Sequence, residues 1–192
     1  RDYGMTGSLQ LAFLLRRYGT FLGFLLIVSF FWSQRPDTFM TTRNWLNITQ
    51  QVSILCVISF TMTLVMVGGD FDLSVGSMAS LSGMIAAVLW QQDVSLFGAL
   101  GAAVIVGAFG GVFNGVLVAY AGLSAFVATL GTLTIFSGLA LLVSDGKTIF
   151  GRTIPEIVGD FSRGGLSLAE GIQLPNLTLI AILVLILMGI VL

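Results

Sequence analysis

The sequence predicts an all-α fold, a polytopic transmembrane helical bundle of about six spans, and three observations carry that prediction. Of the 192 residues 56% are hydrophobic and only 9% are charged, against roughly 25% charged in an ordinary soluble domain, so the chain has too few charges to wrap a water-facing surface around its apolar content. No charged residue falls between Asp72 and Asp93, or between Asp93 and Asp145, and stretches of that length need lipid around them. Strict two-residue alternation is absent, which argues against a β-barrel.

Each span follows from an apolar run long enough, or nearly so, for the roughly 20 helical residues that a bilayer core requires. The runs lie at 18–32, 51–67, 73–90, 96–120, 125–143 and 177–192. The first is a retained anchor and not a cleaved leader, because Phe31-Trp32-Ser33-Gln34-Arg35 is bulky where cleavage needs small residues. Segment 43–51 is polar yet poor in turn residues, and is expected to form a short interfacial or re-entrant helix leading into the second span. Trp32, Trp45 and Trp90 stand at or beside span ends, where an indole gains from the headgroup level. Residues 144–175 hold most of the later charges and form an extramembrane loop. The last run is still apolar at Leu192 and the first Met is residue 5, so the expectation is the N-terminal part of a longer single membrane domain.

Arg16 and Arg17, directly before the first span, favour a cytoplasmic N-terminus. Simple alternation then leaves Arg35, Arg43, Lys147, Arg152 and Arg163 outside, five against three inside, although charges in a long loop count for less. On this orientation loop 144–175 is periplasmic. A net charge of −1 and a pI near 5.1 provide no patch for neutralising phosphates, so nucleic acid is not an expected partner. One cysteine, Cys56, and no histidine exclude a disulfide framework, Cys/His zinc sites and histidine-based catalysis.

The segment that stands out is 67–77, where Gly68-Gly69-Asp70-Phe71-Asp72-Leu73-Ser74 separates two apolar runs. Two carboxylates here are costly unless hydrated or paired. Gly68 and Gly69 suit a helix end, and Asp72 or Ser74 suits the cap of the next helix. Two readings stay open: a tight capped turn at a membrane surface, or a broken helix whose ends line a substrate path.

In the fourth run Ala99, Ala103, Gly107, Gly111, Gly115 and Ala119 recur every four residues, and Gly76, Ala79, Ser80, Gly83 and Ala87 make a similar face on the third. Such faces admit close backbone approach, inside the chain, at a subunit interface or along a pore wall. Asn114, Thr129, Thr132 and Thr134 are uncharged polar groups within spans. They bond to nearby carbonyls or across helices, or else replace water around a neutral polyol without burying charge. Ser144-Asp145-Gly146-Lys147-Thr148 is not a phosphate loop, because Leu141 stands where the first glycine is required.

Three blocks in order carry a family resemblance. Gly69-Asp70-Phe71-Asp72-Leu73-Ser74-Val75-Gly76-Ser77 resembles the Gly-x-Asp-Leu-Ser-Val-Gly signature of monosaccharide ABC-importer permeases, the family of the ribose, xylose and arabinose systems. Phe113-Asn114-Gly115-Val116-Leu117-Val118-Ala119-Tyr120 agrees, as does Phe126-Val127-Ala128-Thr129-Leu130-Gly131-Thr132 followed by Ser137-Gly138-Leu139-Ala140. The resemblance covers residues 38–150, and the pairing of Gly-Asp-Phe-Asp at 69–72 with Ser-Asp-Gly-Lys at 144–147 looks most like arabinose-type permeases. Ser124-Ala125 stands where relatives often carry proline, which leaves the start of that span less rigidly defined.

The resemblance implies a permease subunit of an ATP-driven sugar importer in the bacterial inner membrane, working by alternating access. It implies a second permease subunit, a periplasmic sugar-binding protein and a cytoplasmic ATP-binding subunit. ATP and Mg would sit on that last partner, with no cofactor or metal on this chain. The candidate path residues are Asp70, Asp72, Ser74, Asn114, Thr129 and Thr132, and the candidate packing residues are Gly76, Gly83, Gly107, Gly111 and Gly115. The competing readings are a non-ABC transporter, a channel or scaffold, and a membrane enzyme using Asp70 and Asp72, the last short of nucleophiles and ligands.

Overall fold

A computed structural model describes residues 7–151, 154–169 and 172–191. Arg152 and Glu170 of the charged loop and Leu192 of the last run lie outside the described residues. The chain divides into two compact units, Arg1–Ile48 and Thr49–Leu192.

In the first unit, α1 (Gly7–Gln34) is a helix of 28 residues. It stops before Pro36 because proline disfavours helical backbone in the residue preceding it, and Pro36 then opens the short α2 (Pro36–Phe39). Phe39 stacks on Phe31 at 5.8 Å and meets Trp45 edge-on at 5.9 Å. The start of α3 (Thr42–Val67) is fixed by Thr41, whose hydroxyl accepts from the Asn44 amide N–H at 3.2 Å. The expected separate helix at 43–51 does not exist: those residues are the first turns of α3. Nothing in Asn44-Trp45-Leu46-Asn47-Ile48 breaks a helix, since glycine and proline are both absent.

The second unit continues α3 and adds α4 (Val75–Gln91), α5 (Leu96–Ala119), α6 (Ala125–Val143), α7 (Glu156–Arg163), an antiparallel hairpin of β1 (Gly165–Ala169) and β2 (Ile172–Pro175), and α8 (Asn176–Val191). All six expected spans are therefore helices. Four of them, α1, α3, α5 and α6, are long and apolar enough to cross a membrane, while α4 and α8 are shorter. The loop expected at 144–175 carries α7 and the hairpin, in which Leu166 faces Leu174 and Ser167 faces Gln173. Ser95 caps α5 by accepting from Gly98 N–H at 3.2 Å, and Ser124 caps α6 by accepting from Val127 N–H at 3.4 Å. The start of α6 is thus defined by a serine cap, and proline is not needed there.

α4 packs against both α5 and α6. Leu81, Phe136 and Ala140 form the buried centre, with Met78, Met84, Ile85 and Val106 around it. Outward apolar side chains such as Val104, Ile105 and Leu142 are exposed, as suits helices that meet lipid. About three turns into α3 the first turn of α8 meets it, and the Ser53 and Thr178 hydroxyls pair at 3.1 Å. Gln50 Nε2 also donates to the Ser162 carbonyl of α7 at 2.6 Å.

That last bond fixes the topology of this unit. α3 leads away from the end that holds Gln50, yet α7 is back at that end. An odd number of passes therefore lies between them. α4, the shortest of the three intervening helices, has 17 residues, a length of about 26 Å.

Candidate functional site

The site is built on the break between α3 and α4. Asp70 N–H donates to the Val65 carbonyl at 3.3 Å and Gly69 N–H to the Met66 carbonyl at 3.0 Å, the paired bonds that satisfy the last carbonyls of a helix. Gly69 has φ +92, a left-handed conformation that glycine adopts without a Cβ clash. The next helix is opened by Asp72, whose Oδ1 accepts from Ser74 N–H at 2.7 Å and from Ser74 Oγ at 2.6 Å. Of the two capping candidates the carboxylate makes the bonds; Ser74 is already helical and its side chain caps nothing.

Ser74 is 1% exposed and Asn114 is 7% exposed, and Asn114 Nδ2 donates to Ser74 Oγ at 2.7 Å. The proton directions follow from the carboxylate. An ionised Asp72 only accepts, so the Ser74 hydroxyl must give it its single proton, and its lone pairs are left to take a bond from Asn114. The amide nitrogen is therefore held toward Ser74, and Asn114 Oδ1 is left buried without a hydrogen-bond partner. The Thr129 hydroxyl lies 2.7 Å from the Ala125 carbonyl and 3.3 Å from the Phe71 carbonyl, which brings α6 onto the same segment.

The break is recessed within the bundle. α5 continues five residues beyond Asn114 to Ala119, about 7.5 Å at the helical rise, and Thr129 lies four residues inside the start of α6, about 6 Å. The break therefore forms the floor of a cavity walled by the end of α5 and the start of α6. The cavity measures about 300 Å³, and Asp70, Phe71, Asp72, Asn114 and Thr129 line it together with Gly111, Gly115, Val65, Val118, Ala119 and Ala125. That volume is at the lower end for small-molecule sites. The ion pairs among the described residues are Lys147 with Asp145 and Arg163 with Asp160; neither Asp70 nor Asp72 is in one. The lining thus offers an excess of acceptors to any ligand bearing hydroxyl donors.

The structure brings four of the six candidate path residues, Asp70, Asp72, Asn114 and Thr129, to this cavity. Ser74 stands behind it as the link between Asp72 and Asn114. Thr132 is 1% exposed, one turn deeper, donating to the Thr129 carbonyl at 3.3 Å and outside the lining. Among the glycines, only Gly107 of the candidate packing set meets a neighbour within the chain, with a Cβ there 3.5 Å from Ser82 Oγ. At Gly76, Gly83, Gly111 and Gly115 an added Cβ meets nothing within 4 Å, so the close packing expected there is not made among the described residues. Within the apolar helices the tight position is Gly110, where a Cβ would overlap the end of the Met78 side chain. Sequence reading passed over Gly110 because the every-four-residue repeat drew the face through its neighbour Gly111. It passed over Phe71 because that residue contributes its carbonyl and ring, and neither bears charge.

The chain is 39% identical over 136 residues to the D-allose transport system permease protein AlsC of Escherichia coli (strain K12), covering 70% of this chain and 42% of that protein. It is 32% identical over 144 residues to the ribose import permease protein RbsC of Haemophilus influenzae, covering 75% and 44%. With the ribose import permease protein RbsC of Bacillus subtilis (strain 168) it shares 34% identity over 166 residues, covering 86% and 50%. The chain thus spans half or less of the length of these curated relatives. No solved structure matches. Residues 44–192, which hold the break, the cavity and every helix from α4 onward, match the family described as branched-chain amino acid transport system / permease component, and this multi-pass membrane chain belongs to that family.

Proposed function

We propose that the chain forms part of the translocation path of an ATP-driven importer for a monosaccharide, in the bacterial inner membrane. The observation that carries this is the recessed cavity of about 300 Å³ over the α3–α4 break, lined by Asp70, Asp72, Asn114 and Thr129. Acceptors in excess, with no cation paired to them, suit a neutral polyol that brings its own hydroxyl donors. The names of the relatives, which concern D-allose and ribose transport, supply the substrate class. Alternating access would open and close this cavity by moving the end of α5 and the start of α6 relative to the break.

The same reading supplies the partners: a cytoplasmic ATP-binding subunit carrying ATP and Mg, a periplasmic sugar-binding protein and a second permease subunit. On this reading α7 and the hairpin lie on the periplasmic side and the cavity would lie toward the cytoplasmic end.

The test is sugar uptake in cells lacking their native transporter, using the full-length gene with and without the genes for its ATP-binding and sugar-binding partners. Arabinose, ribose and allose are compared. Uptake that needs both partners supports the proposal; uptake independent of the ATP-binding subunit overturns it.

A further inference from the structure

Between α6 and α8 lies an amphipathic surface that the transport reading does not use. On a helix of 3.6 residues per turn, Ile157, Val158 and Phe161 of α7 share one arc, and Glu156, Asp160 and Arg163 share the opposite one. The charged arc is partly satisfied from within, since Arg163 Nη2 stands 2.9 Å from Asp160 Oδ1. Among the described residues little covers the apolar arc: Ile157 is 61% and Phe161 50% exposed, with Val158 half-buried. Leu166 of β1, and Leu168 at the irregularity in its register, are also exposed.

What covers such a surface follows from where it is held. Asn176, the first residue of α8, donates from Nδ2 to the Phe161 carbonyl at 2.9 Å and from its backbone N–H to the Gly164 carbonyl at 3.0 Å. Gln50, in the early turns of α3, holds the Ser162 carbonyl at 2.6 Å. α7 and the hairpin are therefore tied, through three hydrogen bonds, to the level at which the apolar runs 51–67 and 177–192 begin. At that level the surroundings change from water and headgroups to acyl chains within a few ångströms, and a short helix with segregated faces matches that gradient.

We propose that α7 and β1 lie in the boundary layer of the bilayer, with Ile157, Phe161, Leu166 and Leu168 against lipid and Glu156, Asp160 and Arg163 toward water. The occupant of the apolar face is lipid, not a protein partner. The element would hold α3 at Gln50 and the first turn of α8 at a fixed depth, whatever the substrate.

The test uses the full-length protein in phosphatidylcholine vesicles, with every native cysteine, Cys56 included, replaced by serine and nitroxides attached at Ile157→Cys, Phe161→Cys, Glu156→Cys or Asp160→Cys. The expected result is that a water-soluble nickel chelate, present on both sides of the membrane, relaxes labels at 157 and 161 about ten-fold less than labels at 156 and 160, while oxygen relaxes them more. Equal access of the chelate to all four positions overturns the proposal. So does screening of 157 and 161 from chelate and oxygen alike, which would mean that protein covers the face. Phe161→Trp provides a conservative second measurement: its added fluorescence should be quenched by lipids brominated near the headgroup, and absence of quenching overturns the proposal.

Discussion

Where α4 meets α5 and α6, Leu81, Phe136 and Ala140 are buried together and a glycine, Gly110, lets the Met78 side chain lie against backbone. Where α3 meets α8, the described contact is one hydroxyl pair, Ser53 with Thr178, beside a cavity of about 200 Å³ lined by Val52, Cys56, Phe60, Ile182 and Leu185 among others. Both regions are made of similarly apolar helices. In a bilayer, apolar character alone gives helices no reason to associate, because lipid tails are equally apolar. Close contact then depends on the shape of the facing residues and on hydrogen bonds that cross between helices. The α4–α6 cluster has a fitted glycine and a chain of bonds anchored on Asp72; the α3–α8 pair has neither.

The comparison can be broken most directly at Gly110. Gly110→Leu should destabilise the protein by about 3 kcal/mol, the upper range for overpacking, seen as a sharp loss of membrane yield and a lower melting temperature in detergent. A yield equal to the parent would mean that the cluster is not close-packed at that point. Next in size is Asp72→Ala, which removes the acceptor from Ser74 N–H and Oγ and should cost about 2 kcal/mol, the scale of a bond to a charged group. Asp72→Asn keeps an acceptor and loses only the charge assistance, so about 1 kcal/mol is expected, with impaired assembly or transport. Parent-like expression and uptake in Asp72→Asn would remove this segment from the mechanism.

On the weaker side of the comparison, Ser53→Ala should lower stability by only about 0.6 kcal/mol, the average for a hydrogen bond between membrane helices. A larger fall in melting temperature than in Asp72→Asn would reverse the ranking of the two regions. The smallest effect on the fold of this chain is expected at Gly111→Leu, because a side chain there meets nothing within 4 Å. It enters the cavity instead, so uptake should fall while yield holds. A fall in yield would sharpen the comparison differently, by locating a second subunit against that face of α5.

Much of the site was legible beforehand because carboxylates and a glycine pair between apolar runs are costly enough to be noticed. Asp70 and Asp72 were singled out by that cost and Asn114 and Thr129 as uncharged polar groups within spans, and the cavity gathers all four. Distances along the chain could not say that Ser74 faces inward as a relay while Thr132 lies a turn too deep. Those placements depend on the rotation of α4 and α6 about their axes, and a helix that is apolar all round gives no sign of its rotation. The hairpin at 165–175 was missed for a related reason, since two strands of five and four residues carry too short a pattern to separate from loop.

The sequence by itself determined that this protein is a membrane helix bundle, where each apolar helix lies, and that the chain breaks between Val67 and Val75. These follow from local quantities: hydropathy over a span, glycine at a helix end, a carboxylate at a helix start. Only the tertiary structure decided where that break sits among the helices, which face of α5 packs, and that α4 packs against both α5 and α6. Each of these depends on contacts between residues far apart in the chain, Asn114 with Ser74 among them, and such contacts arise from the fit of surfaces that no local pattern records.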